Sequence, residues 1–188
     1  MNKADEVYRF VAGKIQQLSQ KGSWQTAMLA KLRRGIGKAP GETPEIWELT
    51  IAELPEALTS FRGCPSDGEW AAHLALTLFA LHQQGKSTSV SGQGNSFGRA
   101  VSLLRASDGS NEAGIKRRFD ATLTAKNLKE FSHHARGLVQ LMKAKDVVLD
   151  YPLFAKDIFW LQNADVRRKV CLRWAEDYYR VDHQESER

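Results

Sequence analysis

Apolar residues recur at helical spacing along almost the whole chain, and this periodicity is the feature that most limits the possible folds. In the first segment Tyr8, Val11, Ile15 and Leu18 lie three or four residues apart, so they share one face of a helix over about residues 4–20. Apolar and polar residues do not alternate over any run long enough to predict a strand. The sequence therefore predicts an all-α fold.

Start and stop signals divide the rest of the chain into further helices. Ser66 and Glu69 have the spacing of a capping box and open a long apolar helix that runs to about Gly85. The Ser- and Gly-rich stretch 86–96 has no periodicity and is predicted to be a mobile linker or a binding loop. We expect it to join two small helical bundles, an N-terminal one over 1–90 and a C-terminal one with a basic face over 91–188. The other helices are predicted at about 24–34, 97–107, 111–123, 127–144, 151–162 and 165–180, with a short helix from Thr43 through Trp47 and a short helical turn after Pro55.

Charge is strongly segregated along the chain. The net charge of +5 hides two basic segments, because residues 14–38 carry six bases and no acid, and residues 86–145 carry eleven bases and four acids. Residues 39–85 carry seven acids and one base, and the C-terminal segment is slightly acidic. Such asymmetry is typical of a surface that binds a polyanion. The alternative is that the acids of 39–85 pair with these bases as ordinary surface charge.

Several classes of protein find no support in the sequence. No apolar run approaches the ~20 residues of a membrane span, and the polar N-terminus does not resemble a secretory signal. The two cysteines, Cys64 and Cys171, do not form a disulfide framework, so we expect a cytoplasmic protein without membrane contact. The adjacent His133 and His134 point ~100° apart on a helix and cannot both face one metal ion. Without a nucleophile motif or a P-loop either, we expect no enzyme, no metal and no cofactor.

The predicted helix over 127–144 combines an apolar face with a basic flank. Lys129, Arg136 and Lys143 recur at intervals of seven residues and span about 21 Å, a length that suits several consecutive phosphates. On the preceding helix, Asp120 is expected to pair with Lys116 at i,i+4. Exposed aromatic residues are scarce in this segment, so contacts to phosphates are favoured over stacking with bases. The preceding helices add Arg99, Arg105, Lys116, Arg117 and Arg118.

Four motifs in the second half of the chain occur in an order that is typical of one known family. They are Ser96–Ala100 followed by Leu103, Arg117–Phe119, Leu149–Tyr151 with Leu153, Asp157 and Trp160, and Arg173–Trp174 with Tyr178–Tyr179. Together they resemble the CasB family, the small subunit of the type I-E CRISPR Cascade complex. The resemblance is close over 95–180 and looser over 1–85, where Leu32–Arg34 agrees. Gly137 departs from the family pattern, since many members carry a second arginine there.

The resemblance implies an all-α, two-bundle subunit without catalytic activity. Two copies would pack inside the complex, beside the guide-RNA backbone subunits and the large subunit. The implied role is to stabilise the R-loop of guide RNA and target DNA, including the displaced non-target strand. Because strand exchange in an R-loop is nearly balanced in energy, modest contacts to the backbones can decide its lifetime. The contacts indicated by the resemblance and by the basic flank are Arg33, Arg34, Arg99, Arg105, Lys116, Arg117, Arg118, Lys129, Arg136 and Lys143.

Two other functions stay open on the sequence alone. A helical DNA-binding regulator would contain short helices with tight turns, although no helix here groups Asn, Gln and Arg at its N-terminus for reading bases. A purely structural scaffold subunit would use its bases to pair with acidic faces of its neighbours. The regulator would prefer a single operator sequence, whereas the scaffold would assemble normally without affinity for free nucleic acid.

Overall fold

The computed structural model describes residues 2–60, 62–107 and 109–180. Within these residues the chain forms nine α-helices, and a single bridge between Ser91 and Leu149 is the one β-type pairing, so the predicted all-α fold is confirmed. The eight longer helices are present with ends within two residues of the expected positions, and the short helix expected to end at Trp47 continues to Thr50. The helices are α1 (Lys3–Leu18), α2 (Ser23–Arg34), α3 (Trp47–Thr50), α4 (Asp67–Gln83), α5 (Phe97–Ser107), α6 (Glu112–Thr124), α7 (Leu128–Ala144), α8 (Tyr151–Leu161) and α9 (Ala164–Arg180), with 3₁₀ turns at Pro44–Ile46, Glu56–Leu58 and Gly109–Asn111.

Local capping explains why the helix ends follow the sequence so closely. The Oγ atom of Ser66 accepts a hydrogen bond from the Glu69 amide at 3.0 Å, and a Glu69 carboxylate oxygen accepts one from the Ser66 amide at 2.7 Å, which is the predicted capping box. Asn127 and Asp150 each accept a hydrogen bond from the amide three residues further on. A cap of this kind stabilises a helix by about 1 kcal/mol.

Helix α4 lies at the centre of the molecule. Every residue from Ala71 to Gln83 is buried, as is typical of a helix that is apolar on all sides. Helices α1, α2, α7 and α8 pack around it, and α1 also packs along α8, where Lys156 and Asp5 form an ion pair at 2.6 Å. One hydrophobic cluster therefore runs through both halves of the chain. The division into bundles over 1–90 and 91–188 stays a prediction, and residues 181–188 lie outside the described part.

The segment 86–96 is attached to the chain that leads into α8. The amide of Gly92 donates to the carbonyl of Leu149 at 3.2 Å, and the amide of Leu149 donates to the carbonyl of Val90 at 3.1 Å. These bonds do not fit the mobile-linker alternative, because backbone groups of Val90 and Gly92 have partners at Leu149. Its Ser- and Gly-rich composition gave no sign of these bonds, since the partners lie almost 60 positions further along the chain.

Most aromatic residues of the four motifs are buried in the C-terminal half, namely Phe97, Phe119, Tyr151, Trp174 and Tyr178. Phe97 on α5 is fully buried, with its ring centroid 5.0 Å from that of Phe154 and 4.8 Å from that of Trp174. Gly98 allows this approach, because a Cβ atom at that position would lie 2.0 Å from the backbone oxygen of Trp174. Only a residue without a side chain lets α5 come so close to α9.

Polar residues of the same motifs join the helices through buried hydrogen bonds. Asp157 on α8 is 1% exposed, accepts a bond from the indole Nε1 of Trp174 at 2.7 Å and forms an ion pair with Arg173. Burial raises the pKa of the Asp157 carboxyl, and the Arg173 charge opposes that rise. Ser96 donates to Asp177 at 2.6 Å, which links the start of α5 to α9. The residues that carry the resemblance therefore act mainly in packing.

Candidate nucleic-acid interface

Helices α6 and α7 form a hairpin that presents basic residues to solvent. The three-residue connection makes the two helices antiparallel neighbours, and their packing against each other is extensive. The apolar face predicted for α7 is confirmed, because it points into the core. The buried apolar side chains are Ile115 and Phe119 on α6 and Phe131, Ala135, Leu138, Val139 and Met142 on α7. The opposite flank, which carries the predicted basic stripe, is thereby turned outwards.

Arg167 of α9 fixes the turn of this hairpin. Its guanidinium donates hydrogen bonds to the carbonyls of Ala125 at 2.6 Å and Leu123 at 3.3 Å, at the C-terminal end of α6. The last carbonyls of a helix have no partner within the helix, and a cation is favoured at that end of the helix dipole. Arg167 is thus used in positioning the hairpin and was not singled out by the sequence analysis.

The stripe along α7 carries charge that acidic side chains leave uncompensated. Lys129 and Arg136 are exposed and form no ion pair with any residue that the structure describes. Lys143 is half-buried, and its Nζ donates to a side-chain oxygen of Gln84 at 3.1 Å. Because this partner is neutral, it does not compensate the positive charge. Three positive groups on one helix flank are therefore available to an anionic ligand.

A concavity of about 270 Å³ lies between α6 and α7 and brings two of the predicted arginines together. Arg118 and Arg136 line it together with His133 and His134. The Arg118 side chain passes over Gly137, with its Cδ 3.8 Å from the place that a Cβ atom there would occupy. His133 lies on the same flank of α7 as Arg136, so the periodicity of α7 places it here. His134 lies on another side of α7, and it lines the concavity only because α6 packs next to it.

Other predicted bases around the hairpin differ in how far they are compensated. Lys116 forms the expected i,i+4 pair with Asp120 at 2.6 Å, and this hydrogen bond raises the pKa of the lysine. Arg117 on α6 and Arg99 on α5 are exposed and make no ion pair within the described part of the chain. We therefore expect Arg117 and Arg99 to interact with a polyanion more strongly than Lys116 does.

Arg105 lies in a packed position rather than on the open face. Its side chain is 12% exposed, its guanidinium lies 4.7 Å from the ring centroid of Tyr178, and it forms an ion pair of 3.6 Å with Glu112. Burial is the main reason why the pKa of the Tyr178 hydroxyl is raised. Arg105 joins α5, α6 and α9, so its selection as a nucleic-acid contact stays a prediction that the geometry does not favour.

The bases of the N-terminal segment are partly paired with the acidic segment that follows them. Arg34 at the end of α2 is exposed but forms an ion pair of 2.9 Å with Glu45, and Arg33 is half-buried. Lys14 is 5% exposed and pairs with Glu53 at 2.5 Å. These pairs agree with the alternative interpretation of the charge pattern, in which acids of 39–85 pair with bases of 14–38 as ordinary surface charge. Arg33 and Arg34 lie on α2, outside the α6–α7 hairpin.

The groups of the hairpin suit electrostatic binding of an anion. Among the residues that the structure describes, no group of three His, Cys, Asp or Glu side chains could hold a metal ion. Burial raises the pKa of the Cys171 thiol, which disfavours the nucleophilic thiolate. No described helix is long and apolar enough to cross a lipid bilayer.

Fold and surface together define a class of protein, an all-α chain with an outward-facing basic helical hairpin. The chain belongs to the family described as CRISPR-associated protein Cse2 (CRISPR_cse2), whose sequence model matches residues 28–179. The resemblance to the CasB family is thereby confirmed. No curated protein matches the chain significantly in sequence.

Solved structures of similar proteins share the fold. CasB from Thermobifida fusca has 24% identity and a TM-score of 0.76, over 95% of this chain and 99% of that one. CasB from Thermus thermophilus has 23% identity and a TM-score of 0.69, with the same coverage. A chain of a structure described as a CRISPR RNA-guided surveillance complex has 18% identity and a TM-score of 0.72, over 96% of this chain and 98% of that one. At these identities the likeness shows the fold.

Proposed function

We propose that the chain is the non-catalytic small subunit of a cytoplasmic CRISPR RNA-guided surveillance complex of the Cascade type. It holds nucleic-acid backbones without reading their sequence and so stabilises the R-loop. Membership of the Cse2 family supports the place in the complex, as does the shared fold with a chain of a surveillance complex. Its partners are then the guide RNA, the target and non-target DNA strands, the large subunit, the backbone subunits and a second copy of itself.

The observation that carries the binding proposal is the uncompensated charge of the α6–α7 hairpin. Arg118 and Arg136 meet in one concavity, and Lys129 continues the charge along α7. In the described part of the chain, the exposed large aromatic side chains are Trp24, Trp47 and Tyr179, none of which lies on α6 or α7. The hairpin therefore provides cations for phosphates but no exposed Phe, Tyr or Trp ring for stacking with bases, which favours sequence-independent binding.

Charge reversal on the hairpin tests this proposal. In Lys129→Glu with Arg136→Glu, two phosphate contacts are lost, and each contributes about 0.7 to the slope of log K against log salt for a single strand. Between about 50 and 200 mM salt, the wild type should then lose about sevenfold more affinity than the variant does. Arg168→Glu with Lys169→Glu, two exposed bases on α9, changes the net charge equally and serves as the matched control.

The measurement is binding of unrelated single- and double-stranded oligonucleotides at both salt concentrations, with helicity checked by circular dichroism. An equal loss of affinity in the α9 control would show that net charge alone acts, and the hairpin proposal would fail. A strong preference for one sequence would favour the regulator instead. Absence of binding to any free nucleic acid, together with normal assembly into the complex, would favour the scaffold.

A further inference from the structure

A polar cleft of about 390 Å³ lies where the C-terminal ends of α1 and α4 meet the start of α2. Lys21 and Lys86 line it together with Gln25, Gln83 and the hydroxyl residues 87–89. Its lining includes no carboxylate. Two lysines also suit the partial negative charge that two helix C-termini carry. The cleft thus combines cations with neutral hydrogen-bonding groups, which is the composition that contacts phosphate and sugar.

This cleft continues the basic stripe of α7. The stripe ends at Lys143, whose Nζ bonds to Gln84, and Gln84 directly follows a residue of the cleft. Burial, together with the positive charges of Lys86 and Lys143, lowers the pKa of His82 to about 4. Lys86 also pairs with Asp146, which lies three residues beyond Lys143, so both ammonium groups lie near the C-terminal end of α7. The two basic segments, which an acidic segment separates in sequence, meet at this point of the surface.

We propose that the cleft holds the sugar–phosphate backbone of a single strand that continues from the α7 stripe, with Lys21 and Lys86 as its cationic contacts. The inference rests on the proposed function, since it extends the same binding surface. A lysine ammonium binds a phosphate as a point charge, and the hydroxyl groups of the cleft and the side-chain amide of Gln25 fix the backbone without reading bases. The strand is RNA or DNA, and the 2′-hydroxyl distinguishes the two.

Asp146 is expected to weaken binding of a strand in this cleft. Its carboxylate, 79% exposed, lies 2.6 Å from the Nζ of Lys86 and compensates that charge. Asp146→Asn removes the compensation, and asparagine readily adopts the positive φ of 56° found at this position. The substitution is therefore expected to increase affinity, which a protein damaged in its fold would not do. Glu176→Gln, which removes an exposed carboxylate 3.8 Å from Arg180 on α9, is the matched control.

Oligonucleotide length separates the cleft from the stripe. The stripe spans about 21 Å, and an extended single strand, whose phosphates lie farther apart than the ~3.4 Å rise of a duplex, places roughly three or four phosphates along it. We compare oligothymidylates and oligouridylates of about 4 and about 12 nucleotides at about 0.1 M salt, where the salt slope makes one further phosphate contact worth about a fivefold gain in affinity. Asp146→Asn should bind the longer oligonucleotides about fivefold more tightly, and Lys21→Glu about fivefold more weakly. Both should change binding of the shorter ones less than about twofold.

The outcomes distinguish the two proposals. If the wild type binds the longer oligonucleotides in a salt-dependent manner while Lys21→Glu and Asp146→Asn change nothing, the cleft proposal alone is wrong. An effect of Glu176→Gln equal to that of Asp146→Asn would also overturn it, since net charge would then explain the gain. If the wild type binds no oligonucleotide, the proposed function and the inference fail together. A larger effect on oligouridylates than on oligothymidylates identifies the strand as RNA.

Discussion

Replacing Gly98 by alanine tests how closely α5 must approach α9. The added Cβ atom would lie 2.0 Å from the backbone oxygen of Trp174 and 2.7 Å from its carbonyl carbon. Backbone atoms cannot rotate out of the way as a flexible side chain can. To restore an ordinary contact of 3.4 Å, the two helices must separate by about 1.4 Å.

The free energy of unfolding should fall by about 3 kcal/mol in this variant. Forcing an atom into a packed core costs up to ~3 kcal/mol. Separation also weakens the contact between the rings of Phe97 and Trp174, now 4.8 Å apart, by about 1 kcal/mol. The higher helix propensity of alanine returns about 1 kcal/mol. For a chain of this length the melting temperature should drop by roughly 6–12 °C.

Thermal and urea unfolding followed by circular dichroism measure this effect. Gly13→Ala is the matched control, because Gly13 is also helical and exposed, and a Cβ there would meet nothing within 4 Å. It should raise the free energy of unfolding by about 1 kcal/mol through helix propensity alone. A Gly98→Ala variant as stable as the wild type would refute the close approach of α5 to α9. An equal loss in the free energy of unfolding for Gly98→Ala and Gly13→Ala would refute it as well.

Two further predictions concern buried polar groups. The pKa of His82 is about 4 in the folded state, below the ordinary value of 6.5, so the unfolded chain binds more protons between these two pH values. The free energy of unfolding should therefore fall by at most about 3 kcal/mol as the pH drops from 6.5 to 4. In urea unfolding across this range, the free energy of unfolding of His82→Asn should fall less steeply with pH than that of the wild type; an equally steep fall would contradict the lowered pKa of His82. Asp157→Ala should cost about 3 kcal/mol, because the Trp174 indole and Arg173 lose their acceptor. Asp157→Asn, which keeps an acceptor for the indole, should cost less in the same assay, and equal costs would argue against that bond.

The helices were predictable because the forces that set them are local. Capping by Ser66, Asn127 and Asp150 and the 3.6-residue periodicity act within a few residues, so the ends of α4, α7 and α8 fall close to where the sequence places them. The pair of Lys116 with Asp120 is local in the same sense, since both lie on one helix turn.

The distribution of free and compensated charge was much less predictable. Lys14 pairs with Glu53, and Lys86 pairs with Asp146, across 39 and 60 positions of sequence. Arg105 resembles the other arginines in sequence but packs against the ring of Tyr178. Such partners are set by the docking of distant helices, so the candidate contacts can be ranked only once the fold is known.

The packing of α1 along α8 has a consequence for the synthesis of the chain. The apolar face of α1 is complete after Leu18, but α8 begins at Tyr151, after a further 132 residues. At the usual ~5–20 residues per second, a ribosome needs roughly 7–26 s to make that stretch. During this time Val7, Val11 and Ile15 lack the helix that covers them most extensively in the folded state. The core around α1 is therefore completed only after α8 has been synthesised, and a chaperone that holds α1 in the nascent chain would favour the yield of folded subunit.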